Sequence, residues 1–147
     1  MPLSSSQLRA YVRHSLTKAA GTATPDAAQI GAAFDELCDR LRSKLRPLFG
    51  SEAVLALFGR ALHVASSDHP WLSTVLTREA MCKSRDGVSA LSGIDDGRIQ
   101  DGLVAVLAIN IELLNRFIGA DLVLPLVQGA WGHELSADPP ATPGGDI

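Results

Sequence analysis

Seven consecutive apolar residues, Leu103 to Ile109, sit inside a longer stretch, Asp96 to Ile118, that carries few charges. At about 100° per residue, its polar or small side chains fall on one narrow stripe of Arg98, Asp101, Ala105, Ala108, Glu112, Asn115 and Gly119. Asn110 stands out among the largely apolar side chains of the rest of the circumference. A helix that is apolar on nearly every side has to be enclosed, by other helices or by a second copy of the chain, because a surface helix needs a broad polar face. Seven residues in a row fall far short of the roughly twenty that cross a bilayer. The stretch is therefore predicted to be a buried central helix and no membrane span. Asp95 or Asp96 can cap its start and Gly119 can stop it. Gly97 and Gly102 each cost up to ~1 kcal/mol relative to alanine, which burial has to offset.

The remaining helical periods supply that enclosure. Leu8, Val12, Leu16 and Ala19 mark a first helix, and Ile30, Phe34, Leu37, Leu41, Leu45 and Leu48 mark a second. Thr24, Pro25 and Asp26 signal its start, with Thr24 as the cap, and Pro47 predicts an end near Arg46. Ser51 is the expected cap of a third helix whose inward face is Val54, Leu55, Phe58, Ala61, Leu62 and Ala65. Its opposite stripe is Glu52, Ala56, Gly59, His63 and Ser67. Residues 70–93 lack a sustained period, with a helical turn or two around Leu72, Val75 and Leu76 and a short helix over Val88 to Leu91. Asp121 can cap a last helix packing through Val123, Leu126, Val127, Ala130 and Trp131. The three prolines and two glycines of residues 136–147 read as a disordered tail. The expected fold is all-α: a single-domain helical bundle of five or six helices over residues 1–135. The Asp96 to Ile118 helix lies at its centre, packed by the second, third and last helices.

Composition excludes several function classes. A chain of 147 residues can hold one core without a disulfide or structural metal. A net charge of −3, from 13 basic and 16 acidic residues, gives no field that would gather nucleic acid. The first 25 residues carry Arg9, Arg13 and Lys18 but no acid, a pattern shared by transit peptides and by ordinary first helices with solvated basic side chains. The packing stripe favours the second, and no apolar core of a secretory signal is present. Cys38 and Cys82, with 43 residues between them, form no metal or redox pair and point to a reducing, cytoplasmic setting.

Convergent chemistry is sparse. His63 and His69 are six apart, which is not a helical ligand spacing, and His133 with Glu134 lacks the second histidine of an HExxH pair. Asp68 and His69 could pair as carboxylate and imidazole, but before Pro70 they read more simply as a cap and turn. Cys38 lies among core leucines, where a thiol is inert. Cys82, between Met81 and Lys83 with Arg78 and Arg85 close in sequence, is the better thiolate candidate. Walker, GxGxxG and GxSxG motifs are absent. The alternate cations Arg40, Arg42, Lys44 and Arg46 scatter around a helix, with Glu36 placed for an ion pair to Arg40. No cofactor is predicted. Haem, with His63 or His69 as axial ligand, is opposed by the non-core position of His63 and by an aromatic content of 5%.

Asn110 falls among Leu103, Leu107, Leu114 and Phe117, on the most apolar face of the chain. Leaving an amide unpaired there costs about 1 to 3 kcal/mol, so a partner is expected, either a neighbouring helix end or a second Asn110 across a two-fold axis. The expected function is a non-enzymatic interaction or regulatory module acting through helix–helix surfaces. Its partner is a protein or a second copy in a homodimer, met through Ala56, Gly59, Leu107, Leu114 and Phe117. The alternative is a small-molecule or haem sensor with a pocket inside the bundle, its polar groups drawn from Asn110, His63, His69 and Asp68. An enzyme would need His63, Asp68, His69 and Cys82 to meet in one cleft.

Overall fold

A computed structural model describes residues 5–22, 24–75 and 95–131 of the chain, and its regular elements are all helices. In chain order they are α1 (Ser5–Ala20), α2 (Ala27–Phe49), α3 (Ser51–Ala65), the single turn α4 (Leu72–Val75), α5 (Asp96–Ile118) and α6 (Ala120–Trp131). Cys82, the short helix expected over Val88 to Leu91, His133, Glu134 and the tail from Ser136 lie outside the described residues.

Each helix starts and stops for a local reason. Asp26, and not Thr24, caps α2: its carboxylate accepts from the Gln29 backbone N–H at 2.9 Å, and the Gln29 side chain accepts from the Asp26 N–H at 2.9 Å. That reciprocal pair satisfies two end donors at once, and Thr24, with Ala27 three residues on, cannot build it. Pro47 does not end α2. The helix runs through it to Phe49, which packs against the core, and stops at Gly50, whose N–H donates to Arg46 O at 2.8 Å. A proline in the last turn forfeits only one helical bond. Ser51 is accordingly the first residue of α3 and not its cap; Gly50 precedes it with no side-chain cap bond. Asp95 caps α5 by accepting from the Arg98 N–H at 2.8 Å. Gly119 ends α5 and leads straight into α6, where Asp121 lies in the first turn instead of capping.

Gly50 and Gly119 are thus single-residue corners between helices, with nearly the same backbone: φ 86, ψ 158 and φ 91, ψ 146. Both lie at positive φ, where a side chain would be strained.

The central position of α5 is as expected. It packs against α1, α2, α3 and α6, most extensively α3, while α1 and α6 also close onto α2. Its residues from Gly102 to Ala108 are all buried, so the small side chains Ala105 and Ala108 face neighbouring helices and not solvent. Gly102 has a specific neighbour: a Cβ there would lie 2.5 Å from Cζ2 of Trp71. The glycine permits the half-buried Trp71 ring to pack against the helix backbone. At the other side of the bundle the Trp131 indole N–H donates to Leu37 O at 3.1 Å, and the ring stacks on Tyr11 with centroids 5.7 Å apart. The end of α6 is fastened in this way to both α1 and α2. Burial pushes the Tyr11 phenol up to about 12, opposed by its hydrogen bond with Ser15. Arg13 of α1 pairs with Asp101 of α5 at 2.5 Å on the surface.

Candidate functional site: the apolar end of the bundle

The predicted stripe of α2 departs from the core at its last member. Leu48 is 59% exposed, and Phe117 on α5 and Leu122 on α6 are 73% and 61% exposed. Leu48 and Phe117 each stand two residues before a corner glycine, and Leu122 stands three residues after one. A longer connection would lay polar loop residues over these helix ends. With one glycine per corner, the apolar last turns of α2 and α5 and the first turn of α6 are left facing outward.

Two grooves flank the last turn of α5. One, of about 430 Å³, lies between α3 and α5 and is lined by Ala53, Ala56, Leu57 and Arg60 with Leu113, Arg116 and Phe117. The other, of about 540 Å³, lies between the end of α2 and the start of α6 and is lined by Leu48, Phe49, Ile118, Asp121, Leu122, Pro125 and Leu126. Phe117 and Ile118, adjacent in sequence, each belong to one groove, so the two share the helix turn that separates them. Both are apolar, each with charged side chains of a single sign.

Several residues singled out from the sequence lie elsewhere. Ala56 lines the first groove and also a shallower one of about 500 Å³ with Gly59, Arg60, Leu62, His63, Ser66 and Ser73. His63 is exposed there, on the side of α3 away from the core as predicted. Asp68 and His69 do not line that groove. Their backbone N–H groups donate to Ala65 O at 3.2 and 3.0 Å, which makes them part of the turn closing α3. Leu107 and Leu114 are buried in the protein's own core, so of the expected interface residues only Ala56, Gly59 and Phe117 are reachable from outside. Their neighbours in the bundle, and not a partner, take up the apolar face of α5.

Asn110 is 1% exposed, and neither its Nδ2 nor its Oδ1 has a hydrogen-bond partner among the described residues. The expected bond to a helix end is not made there. Asn110 also lines none of the grooves described above. Cys38 is buried, and the described residues contain no group of three or more His, Cys, Asp or Glu able to hold a metal. No helix among them is long and apolar enough to cross a membrane.

Periodicity counts Leu48 among the core residues of α2, and it singles out none of Arg60, Arg116 and Leu122. The signal that could have found the two leucines is the glycine spacing: an apolar turn abutting a lone glycine and a new helix has no loop to cover it. Compared with models of protein families, with curated proteins and with solved structures, the chain has no match in any of the three.

Proposed function

We propose that this protein is a non-enzymatic interaction module that associates with a second copy of itself through the apolar end of the bundle. The observation that carries the reading is the exposure of Phe117 beside one of the two grooves that flank the last turn of α5 and of Leu48 and Leu122 beside the other. Exposed large apolar side chains are ordinary when scattered, whereas a cluster with grooves beside it is the usual mark of an association surface. The face comprises the ends of α2 and α5 and the start of α6, with α3 lining one groove. Two cysteines as far apart in sequence as Cys38 and Cys82 fit a reducing setting such as the cytoplasm.

Sedimentation equilibrium of the wild-type chain tests this reading. A dimer is expected at micromolar concentration, and Phe117→Glu and Leu122→Glu are each expected to give monomers with unchanged far-ultraviolet circular dichroism. Wild-type protein that stays monomeric to about 100 μM would sink the proposal, since a specific interface of ordinary size holds together well below that.

A further inference from the structure

The two grooves beside the last turn of α5 differ in charge. Arg60 and Arg116 line the groove on the α3 side, and Asp121 lines the groove on the α6 side. None of these three side chains has an ion pair or hydrogen bond with another described residue. All three are exposed. The apolar turn bearing Phe117 and Ile118 runs between them.

A two-fold axis lying in such a face, passing through that turn and perpendicular to the line joining the grooves, exchanges them. It carries the α6 groove of one copy over the α3 groove of the other, and it does so twice, because every contact in an isologous interface is repeated. We propose that the end face is self-complementary in this sense: in the dimer, Asp121 of each copy faces Arg60 and Arg116 of the other, around an apolar centre containing Phe117 and Leu122. The proposal rests on the dimer reading above and adds its orientation. Opposite charges, without partners among the described residues, on the two flanks of one apolar centre are what a second copy supplies from the same sequence, whereas an unrelated partner would have to bring the reversed pattern itself. Guanidinium groups suit the role, since they form charge-assisted pairs with carboxylates in fixed geometry.

Two charge-reversed proteins test the orientation: Asp121→Arg, and the double variant Arg60→Asp with Arg116→Asp. Each alone sets like charges against like in its own homodimer, and each is expected to dimerise about tenfold or more weakly than wild type. Mixed in equal amounts they restore both cross-pairs, so the mixture is expected to form a heterodimer at close to wild-type affinity, read by sedimentation velocity and by native mass spectrometry. Wild-type dimerisation should also weaken as salt is raised. Variants that still dimerise like wild type, or a mixture that stays monomeric, would overturn the orientation while a wild-type dimer keeps the broader reading standing. A monomeric wild type would overturn both. If a reversal disturbs folding by circular dichroism, Asp121→Asn and Arg60→Gln remove the charges without inserting opposite ones, and each should weaken the dimer severalfold; no change would again reject the orientation.

Discussion

Replacing Asn110 by leucine should make the protein more stable. Leucine keeps the branch at Cγ and puts two methyl groups where the amide carries Nδ2 and Oδ1, so the shape of the side chain is nearly conserved. Both polar atoms are buried without a hydrogen-bond partner among the described residues. A buried amide left unpaired costs about 1 to 3 kcal/mol, and removing the polar atoms should return most of that. The neighbours one turn away on α5, Val106, Leu107 and Leu114, are buried and apolar, as is Ile111 beside it, so the new methyl groups meet a matching environment. For a chain of this length, 1 kcal/mol corresponds to about 3 °C in Tm, which gives an expected rise of about 3 to 9 °C. Urea denaturation should show a higher midpoint with an unchanged m-value, since the surface exposed on unfolding hardly differs. Asn110→Ala, which opens a small void as it removes the same atoms, should lie between Asn110→Leu and wild type. If Asn110→Leu lowers stability by 1 kcal/mol or more, the amide is paired in the folded protein and the reasoning fails.

Other outcomes follow from the packing. Gly102→Ala gains helix propensity worth up to ~1 kcal/mol but drives a Cβ to 2.5 Å from the Trp71 ring, a rigid neighbour, so a net loss of about 1 to 2 kcal/mol is expected in urea titrations, with a red shift of tryptophan emission. Trp131→Phe removes the bond to Leu37 O and much of the stack on Tyr11; a loss of about 1 to 3 kcal/mol should appear as a lower denaturation midpoint. Tyr11 ionises near 10 in the unfolded chain and at about 12 in the folded one, so between those values the folded form holds more protons. Its contribution is complete below pH 10 and is lost as pH rises toward 12, and Tyr11→Phe should flatten that part of the stability–pH curve.

The fold was legible because burial in a helical protein is periodic. The stripes of Leu8, Val12 and Leu16, of Ile30 through Leu45, and of Val123, Val127, Ala130 and Trp131 are all buried as spaced. The near-uniform apolarity of α5 likewise announced a helix with neighbours on all sides. Ends were harder. Thr24, Asp26 and Ser51 are all good caps by type, and the choice between them depended on whether Gln29 could answer Asp26 and on how Gly50 turned the chain. The candidate site was legible only in Ala56 and Phe117. Leu107 and Phe117 share a stripe, and periodicity alone assigns both to one face; it does not carry the information that the covering helices bury the first and leave the second open. Arg60, Arg116 and Asp121 are commonplace surface residues in sequence, and only the fold sets them on the two sides of one turn.

The single-glycine corners have a further consequence for how the end of the bundle can be used. A surface built on loops loses conformational freedom when it is bound, and side chains and backbone that must be ordered subtract from the affinity. Here the backbone beneath Leu48, Phe117 and Leu122 belongs to helix ends whose mutual directions are set by one φ, ψ pair at Gly50 and another at Gly119. Anything that docks on this end meets a floor already in place, and the freedom it has to surrender is confined to a few side-chain torsions.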